Sequence, residues 1–264
     1  MSNVNSARYS LEKLRLHERF ELNKKGRDWF IGDIHGYKEK LINSLHEVGF
    51  DFSCDRLFAV GDLVDRGPDS FGVIRLFSDS SWAFSVMGNH EWILIREMEG
   101  DLRMAELARD PVCGGDWRDS FDSTDLSEIA ELFCRKFPIA ISVDTAFGNI
   151  GVIHACPPAD WSVLGADPVA DFVLDNWTDW LWTRQGIRDL AAGKPVNCNS
   201  IDAVICGHST TSKPVCNGNV LFADTHISWS GSGEFTLLTA EALFEKITAL
   251  NSQPEIPKWF NSKA

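Results

Sequence analysis

Asp33, His35, Asp62, Asn89, His154 and His208 each follow a short apolar run, and each carries an oxygen or nitrogen donor able to bind a divalent cation. No cysteine belongs to the set. Mixed oxygen and nitrogen donors suit Mn2+, Fe2+ or Zn2+ rather than Ca2+ or a thiolate-bound ion. Six donors are too many for one catalytic ion that must keep open positions. They suit two ions sharing a carboxylate, and Asp62, in the middle motif, is the natural bridge. Taken singly, each position has an ordinary explanation. A Gly-Asp after a strand is usually a turn, and a histidine on an apolar strand is usually a hydrogen-bonded core residue. Turn chemistry does not explain four separate strand ends with the same character.

The elements that must position these residues can be read around them. "DWFIGDIHG", "RLFAVGDLVDRG" and "WAFSVMGNH" are three apolar runs, each ending in a glycine-bounded polar turn. Each is followed by a helical stretch: "YKEKLINSLHEVGF" with Leu41, Leu45 and Val48 on one face, "PDSFGVIRLF", and "EWILIREME". Strand, turn and helix repeated three times is a βαβαβ unit with a parallel sheet. Function then collects at the carboxyl ends of the strands. Residues 98–136 read as a helical insertion broken by "CGGDW". "PIAISVD" and "NIGVIHA" read as a hairpin, "DAVICGHS" as a strand, and "KPVCNGNVLFAD" as a hairpin on Asn217-Gly218. Upstream, residues 1–8 are polar, "SLEKLRLHERFEL" reads as a short helix leading into a strand, and "NKKG" at 23–26 as a hairpin turn. The expected organisation is an N-terminal extension, 1–26, and one domain, 27–264.

"GDIHG" (32–36), "GDLVDRG" (61–67) and "GNHE" (88–91), in this order and at βα spacing, resemble the signature motifs of the phosphoprotein phosphatase family of calcineurin-like metallophosphoesterases. "VIHA" (152–155) and "ICGHS" (205–209) resemble its two downstream histidine motifs, and "GGDW" (114–117) and "LWTR" (181–184) its bacterial and lambda-phage branch. The resemblance covers about residues 27–225. It implies an α/β fold with a central β-sandwich of mixed sheets flanked by helices. Asp33, His35 and Asp62 would hold one metal; Asp62, Asn89, His154 and His208 the other. It also implies that Arg66 clamps phosphate oxygens, that Asp65 holds His90 protonated as general acid, and that Arg184 is a second clamp. The activity implied is hydrolysis of phosphoserine and phosphothreonine by direct attack of a hydroxide bridging two divalent ions, with Mn2+ favoured and Fe or Zn as alternatives. Two rivals are a symmetrical dinucleoside tetraphosphatase and an inactive phosphopeptide-binding module. At 224–226 the chain reads Asp-Thr-His, where lambda-type enzymes tend to read Asp-Thr-Gly.

The bulk composition narrows the partners. A formal net charge of −13 over 264 residues opposes nucleic-acid binding by phosphate neutralisation, and requires any anion site to carry its own positive charge. Seven cysteines with no C-x-x-C pair argue against a zinc ribbon or disulfide framework and for a reducing cytoplasm. No apolar run is long enough to span a bilayer. The expected partner is a phosphoprotein or phosphopeptide, and the expected state a monomer. His226 and Cys156 are given structural roles, as are most tryptophans of 157–182; His46 is read as a solvated residue of an amphipathic helix, and His17 is placed in the N-terminal segment without a role.

Overall fold

The computed structural model describes residues 14–165 and 171–253, apart from the side chains of 171–176. The expectations for residues 1–8 and for the start of an N-terminal helix lie outside them. Two sheets form the frame. The smaller has the order β10-β2-β3-β4, with β2 (Asp28–Ile31), β3 (Arg56–Ala59) and β4 (Ala83–Ser85) parallel and β10 (Leu237–Thr239) antiparallel at the edge. The larger has the order β1-β5-β6-β7-β9-β8, built from β1 (His17–Phe20), β5 (Ala140–Thr145), β6 (Gly148–Ile153), β7 (Ala203–Cys206), β8 (Val215–Cys216) and β9 (Val220–Phe222). Both sheets are mixed.

Strand alternation divides the apolar residues between two cores. Phe30, Phe58 and Val60 pack with Ile141, Val143, Ile150, Val152, Ile205 and Leu221 between the sheets. Phe58 stacks on Phe30 at 5.6 Å and on Phe84 at 5.4 Å. Truncating such a ring typically costs about 3–5 kcal/mol. Trp29, Ile31, Leu57 and Ala59 point the other way, into a core shared with the helices.

Helices α1 (Lys38–Glu47), α2 (Ser70–Asp79) and α3 (Asn89–Met98) follow β2, β3 and β4 in turn. Helix α1 buries Leu41 and Leu45, whereas Val48 lies just past its end and is exposed. Asp69 caps α2 by accepting from Gly72 N–H, the usual role of an aspartate before a first turn. Every residue of α3 from Asn89 to Arg96 is buried, so it is a central helix with no solvent face. The insertion holds α4 (Leu102–Ala108), a short 3-10 turn (Asp116–Ser120) and α5 (Ser123–Lys136). Helices α6 (Asp171–Trp182), α7 (Gln185–Ala191) and α8 (Ala240–Ser252) complete the described chain. Among the described residues no helix is long and apolar enough to cross a membrane.

One expectation fails. Residues 23–26 do not close a hairpin, because β1 and β2 lie in different sheets. Asn23 accepts from the Lys25 and Gly26 N–H groups and donates to Cys54 O, turning the chain from one sheet to the other. His17–Phe20 pairs in parallel with Ala140–Val143, and Phe20 packs on Phe58 and Phe84. These residues, expected in an extension, are an edge strand of the larger sheet.

Candidate active site

All six cation-type side chains lie at the carboxyl ends of strands. Asp33 and His35 follow β2, Asp62 follows β3, Asn89 opens α3 after β4, His154 follows β6 and His208 follows β7. All six are buried. The turns carrying them interlock: Ile34 and His35 N–H both donate to Asp62 O, Gly207 N–H donates to His154 O, and His208 N–H donates to the Asp33 carboxylate. His35, Asp62, Asp65, Arg66 and His208 all adopt positive φ, between 48° and 71°, a region unfavourable to side chains with a Cβ. Glycine enforces the close approach: a Cβ on Gly88 would collide with the Asp62 backbone and carboxylate.

Three imidazoles are oriented by backbone carbonyls. His35 Nδ1–H donates to Val64 O at 2.9 Å, His154 Nδ1–H to Val60 O at 2.7 Å, and His208 Nε2–H to Trp182 O at 3.0 Å. Burial first, then neighbouring positive charge, lowers the pKa of His35 well below the usual histidine range. His208 is also lowered well below that range, by burial and then by the charge of His154, and His154 is lowered by burial. In these tautomers each imidazole turns its other nitrogen inward as an acceptor, and that of His35 takes a hydrogen bond from Arg66 Nη1 at 2.6 Å. His154 Nε2 lies 2.8 Å and His208 Nδ1 2.9 Å from Asn89 Oδ1, and His154 Nε2 lies 3.3 Å from Asp62 Oδ1. His35 Nε2 lies 3.5 Å from Asp62 Oδ2 and 3.9 Å from Asp33 Oδ2. Acceptors converging at such distances repel unless a cation lies among them. The donor set and its imposed tautomers fit two divalent ions sharing Asp62.

On the other side of the cavity, His90 Nδ1–H donates to Asp65 Oδ2 at 2.7 Å. Asp65 is fully buried and also accepts from Trp117 Nε1–H at 2.7 Å and from Arg118 Nη2 at 3.1 Å. Burial alone would raise its pKa, but the Arg118 charge and the His90 and Trp117 hydrogen bonds outweigh it and hold the carboxyl below the usual range. Cys113 Sγ–H donates to the same carboxylate at 3.4 Å, and burial, with the charge of Asp65, pushes its thiol up to about 12. His90 Nε2 faces the cavity, 3.1 Å from Arg66 Nη2. Arg66 is steered by Ser228 Oγ, by Val112 O and, through its backbone N–H, by Gly114 O. Arg184, the residue just before α7, lines the same cavity, of about 530 Å³, with Arg66, His90 and His208. Burial, then the charge of Arg66, lowers its pKa.

Residues 27–211 match the calcineurin-like phosphoesterase family. The chain belongs to that family. It is 30% identical to serine/threonine-protein phosphatase 2 of Escherichia coli K12, covering 78% of this chain and 90% of the relative. It is 32% identical to the symmetrical bis(5'-nucleosyl)-tetraphosphatase of Nitrosospira multiformis, covering 76% and 89%. The fold is also that of a cold-active protein-tyrosine phosphatase of a psychrophilic Shewanella, with a TM-score of 0.55 over 86% of this chain and 79% of that one, at 16% identity. The family's phosphatase-named members support a phosphatase enzyme, and the two curated relatives divide over its substrate.

Sequence reasoning missed four supporting residues of this metallophosphoesterase site. Glu91, buried beneath the turns, accepts from the N–H groups of Gly88, Asp62, Leu63 and Val64. Its signal was a charge opening the apolar run "EWILI". Trp117 and Arg118 were visible only as parts of "GGDW" and its neighbour. Asp224 follows an apolar strand as Asp33 and Asp62 do, and that pattern could have singled it out. Among the residues given structural roles, Trp161, Trp177 and Trp180 are core residues, while Trp182 lines the cavity. His46 is exposed, His17 Nε2 meets Ser142 Oγ at 2.8 Å, and burial pushes the Cys156 thiol up to about 11. His226 is buried between the rings of Tyr37 and Phe235, and neither ring nitrogen completes a hydrogen bond. Burial lowers its pKa to about 4.

Proposed function

We propose that this metallophosphoesterase is a protein serine/threonine phosphatase with two divalent cations, Mn2+ foremost, acting in the cytoplasm as a monomer on phosphoproteins. The observation that carries the reading is His90 held on Asp65 in a cavity lined by Arg66 and Arg184. Asp33, His35 and Asp62 would hold one cation and Asp62, Asn89, His154 and His208 the other. When bound, the cations would supply an activated water and neutralise phosphoryl oxygens.

The chain's own groups account for the remaining requirements. Arg66 and Arg184 supply the local positive charge that a protein of net charge −13 needs to accept a phosphate. A serine or threonine alkoxide is a poor leaving group and requires a proton, which His90 Nε2 is placed to deliver while Asp65 stabilises the imidazolium. Phenolates leave with less help. Farther out, α4 contributes Arg103 and Glu106, with Asp110 just beyond, and Ile93, Leu107 and Trp182 form an apolar patch able to seat a peptide side chain. Absence of nucleic-acid binding is part of the same reading, from the net charge of −13.

A substrate panel tests the reading. With Mn2+, kcat/KM is expected to be highest on phosphoserine and phosphothreonine peptides. Diadenosine tetraphosphate as the best substrate would instead establish the tetraphosphatase reading, which the Nitrosospira relative favours. Arg184→Ala should raise KM or lower kcat at unchanged metal content; wild-type kinetics would make Arg184 structural.

A further inference from the structure

One carboxylate beside the site has no task in that mechanism. Asp224 follows β9 and is 2% exposed. Its Oδ2 accepts from Thr210 Oγ1–H at 2.6 Å, while Oδ1, equally shut off from solvent, has no hydrogen-bond partner. An unsatisfied buried polar atom costs about 1–3 kcal/mol, and more when charged. Its surroundings are polar and specific. A Cβ on Gly32 would come within 3.3 Å of Asp224 Cα, so Asp224 abuts the end of β2 that carries Asp33. Its backbone oxygen accepts from Thr211 N–H at 2.8 Å, tying it to the loop that carries His208.

The two cation positions are therefore unlike. The second has one shared carboxylate, an amide and two imidazoles. The first has Asp33, Asp62 and a single imidazole, with Asp224 behind them. Asp33, Asp62 and Asp224 are three buried carboxylates on neighbouring turns, a concentration of negative charge that a cation at the first position would offset. Among the described residues, the side chains that converge within 4.8 Å are His35, Asp62 and His90; Asp62, His154 and His208; and Asp65, His90 and Cys113. Asp224 belongs to none of the three groups, so its reach is indirect.

We propose that Asp224 is a third anionic group serving the first cation position, which Oδ1 reaches through one ordered water. The proposal rests on the two-cation reading. It makes the first position oxygen-rich and harder, suited to Mn2+ or Mg2+, and the second nitrogen-rich and better for Zn2+ or Fe2+.

The test uses the full chain stripped with chelator, titrated with Mn2+ in a calorimeter, and melted with and without the ion. Wild type should bind two equivalents. Asp224→Asn should weaken one of them by about 10–100-fold, the usual effect of losing an outer partner, and leave the other unchanged. The stripped variant should melt above stripped wild type, because one of three repelling carboxylates has lost its charge. The loaded variant should melt below loaded wild type. An unchanged isotherm with lower melting in both states would make Asp224 a packing group and overturn the proposal. Thr210→Val keeps the carboxylate and removes only its hydroxyl partner, so both affinities should survive. A loss equal to that of Asp224→Asn would show that loop shape, not charge, is responsible. Wild type binding no cation would overturn the two-cation reading itself; two sites in wild type with an unaffected Asp224→Asn would overturn only the role of Asp224.

Discussion

The two sides of the cavity are built differently. On the cation side, every donor stands at a strand end and the three imidazoles are fixed by main chain, through Val64 O, Val60 O and Trp182 O. On the acid side, Asp65, Arg66 and His90 are set by the insertion, through the Trp117 and Arg118 side chains and the Val112 and Gly114 carbonyls. The first arrangement inherits the stiffness of two sheets. The second depends on a segment packed across the cavity mouth. Under the proposed roles, proton delivery can therefore change without rebuilding the cation side, whereas Arg66 touches both sides through His35 Nε2. Among the described residues six non-glycines have positive φ, and five belong to this site. At about 1–3 kcal/mol each, such strain persists only where surrounding structure over-determines it.

The sharpest way to break the comparison is to remove the shared carboxylate. Asp62→Asn should lose cations and with them nearly all activity on phosphoserine peptides and p-nitrophenyl phosphate alike, as metal analysis beside kcat/KM would show. Full metal content in this variant would remove Asp62 from the bridging role. The acid side should respond selectively. His90→Asn should lose about 10²–10⁴-fold on phosphoserine peptides, far less on p-nitrophenyl phosphate, with both cations retained. Equal losses on the two substrates would leave His90 a positioning or phosphate-binding group.

Weaker effects sharpen the same division. Trp117→Phe removes one of the hydrogen bonds to Asp65, worth about 0.5–1.5 kcal/mol, or up to roughly tenfold in rate. That loss should again be larger on the poor leaving group; a loss of metal instead would place the insertion on the cation side. Smallest of all is His226→Leu. Two buried nitrogens without hydrogen-bond partners are removed from between Tyr37 and Phe235, so the melting temperature should hold or rise slightly and kinetics should stay as they are. A clear drop in activity would mean that the ring reaches the first cation position.

The cation side was readable because it rests on local patterns. An apolar run followed by Gly-Asp or Gly-Asn-His is a strand and its turn, and three in succession imply a parallel sheet with those turns at one edge. The acid side was readable only in part. His90 and Asp65 stand within the same turns, but their partners Trp117 and Arg118 lie 52 and 53 positions from Asp65, and no periodicity announces them. Glu91 was hidden for another reason: its four partners are backbone N–H groups, which any sequence possesses. The turn at 23–26 misled because its local chemistry is that of a hairpin. Whether flanking strands pair is a tertiary matter, decided here by Phe20 reaching the Phe58 and Phe84 rings.

That edge strand has a consequence for assembly of the fold. Strand β1 finds its partner far along the chain: His17 meets Ser142, 125 positions on. Closing so long a loop carries an entropic penalty that only a nearly finished sheet can repay. The hairpin of β5 and β6, by contrast, closes across a tight turn. β1 should accordingly dock late on the folding route and open first in native-state hydrogen exchange. Its Arg19 and Phe20 amides should exchange well before those of Ile150 and Val152 on β6.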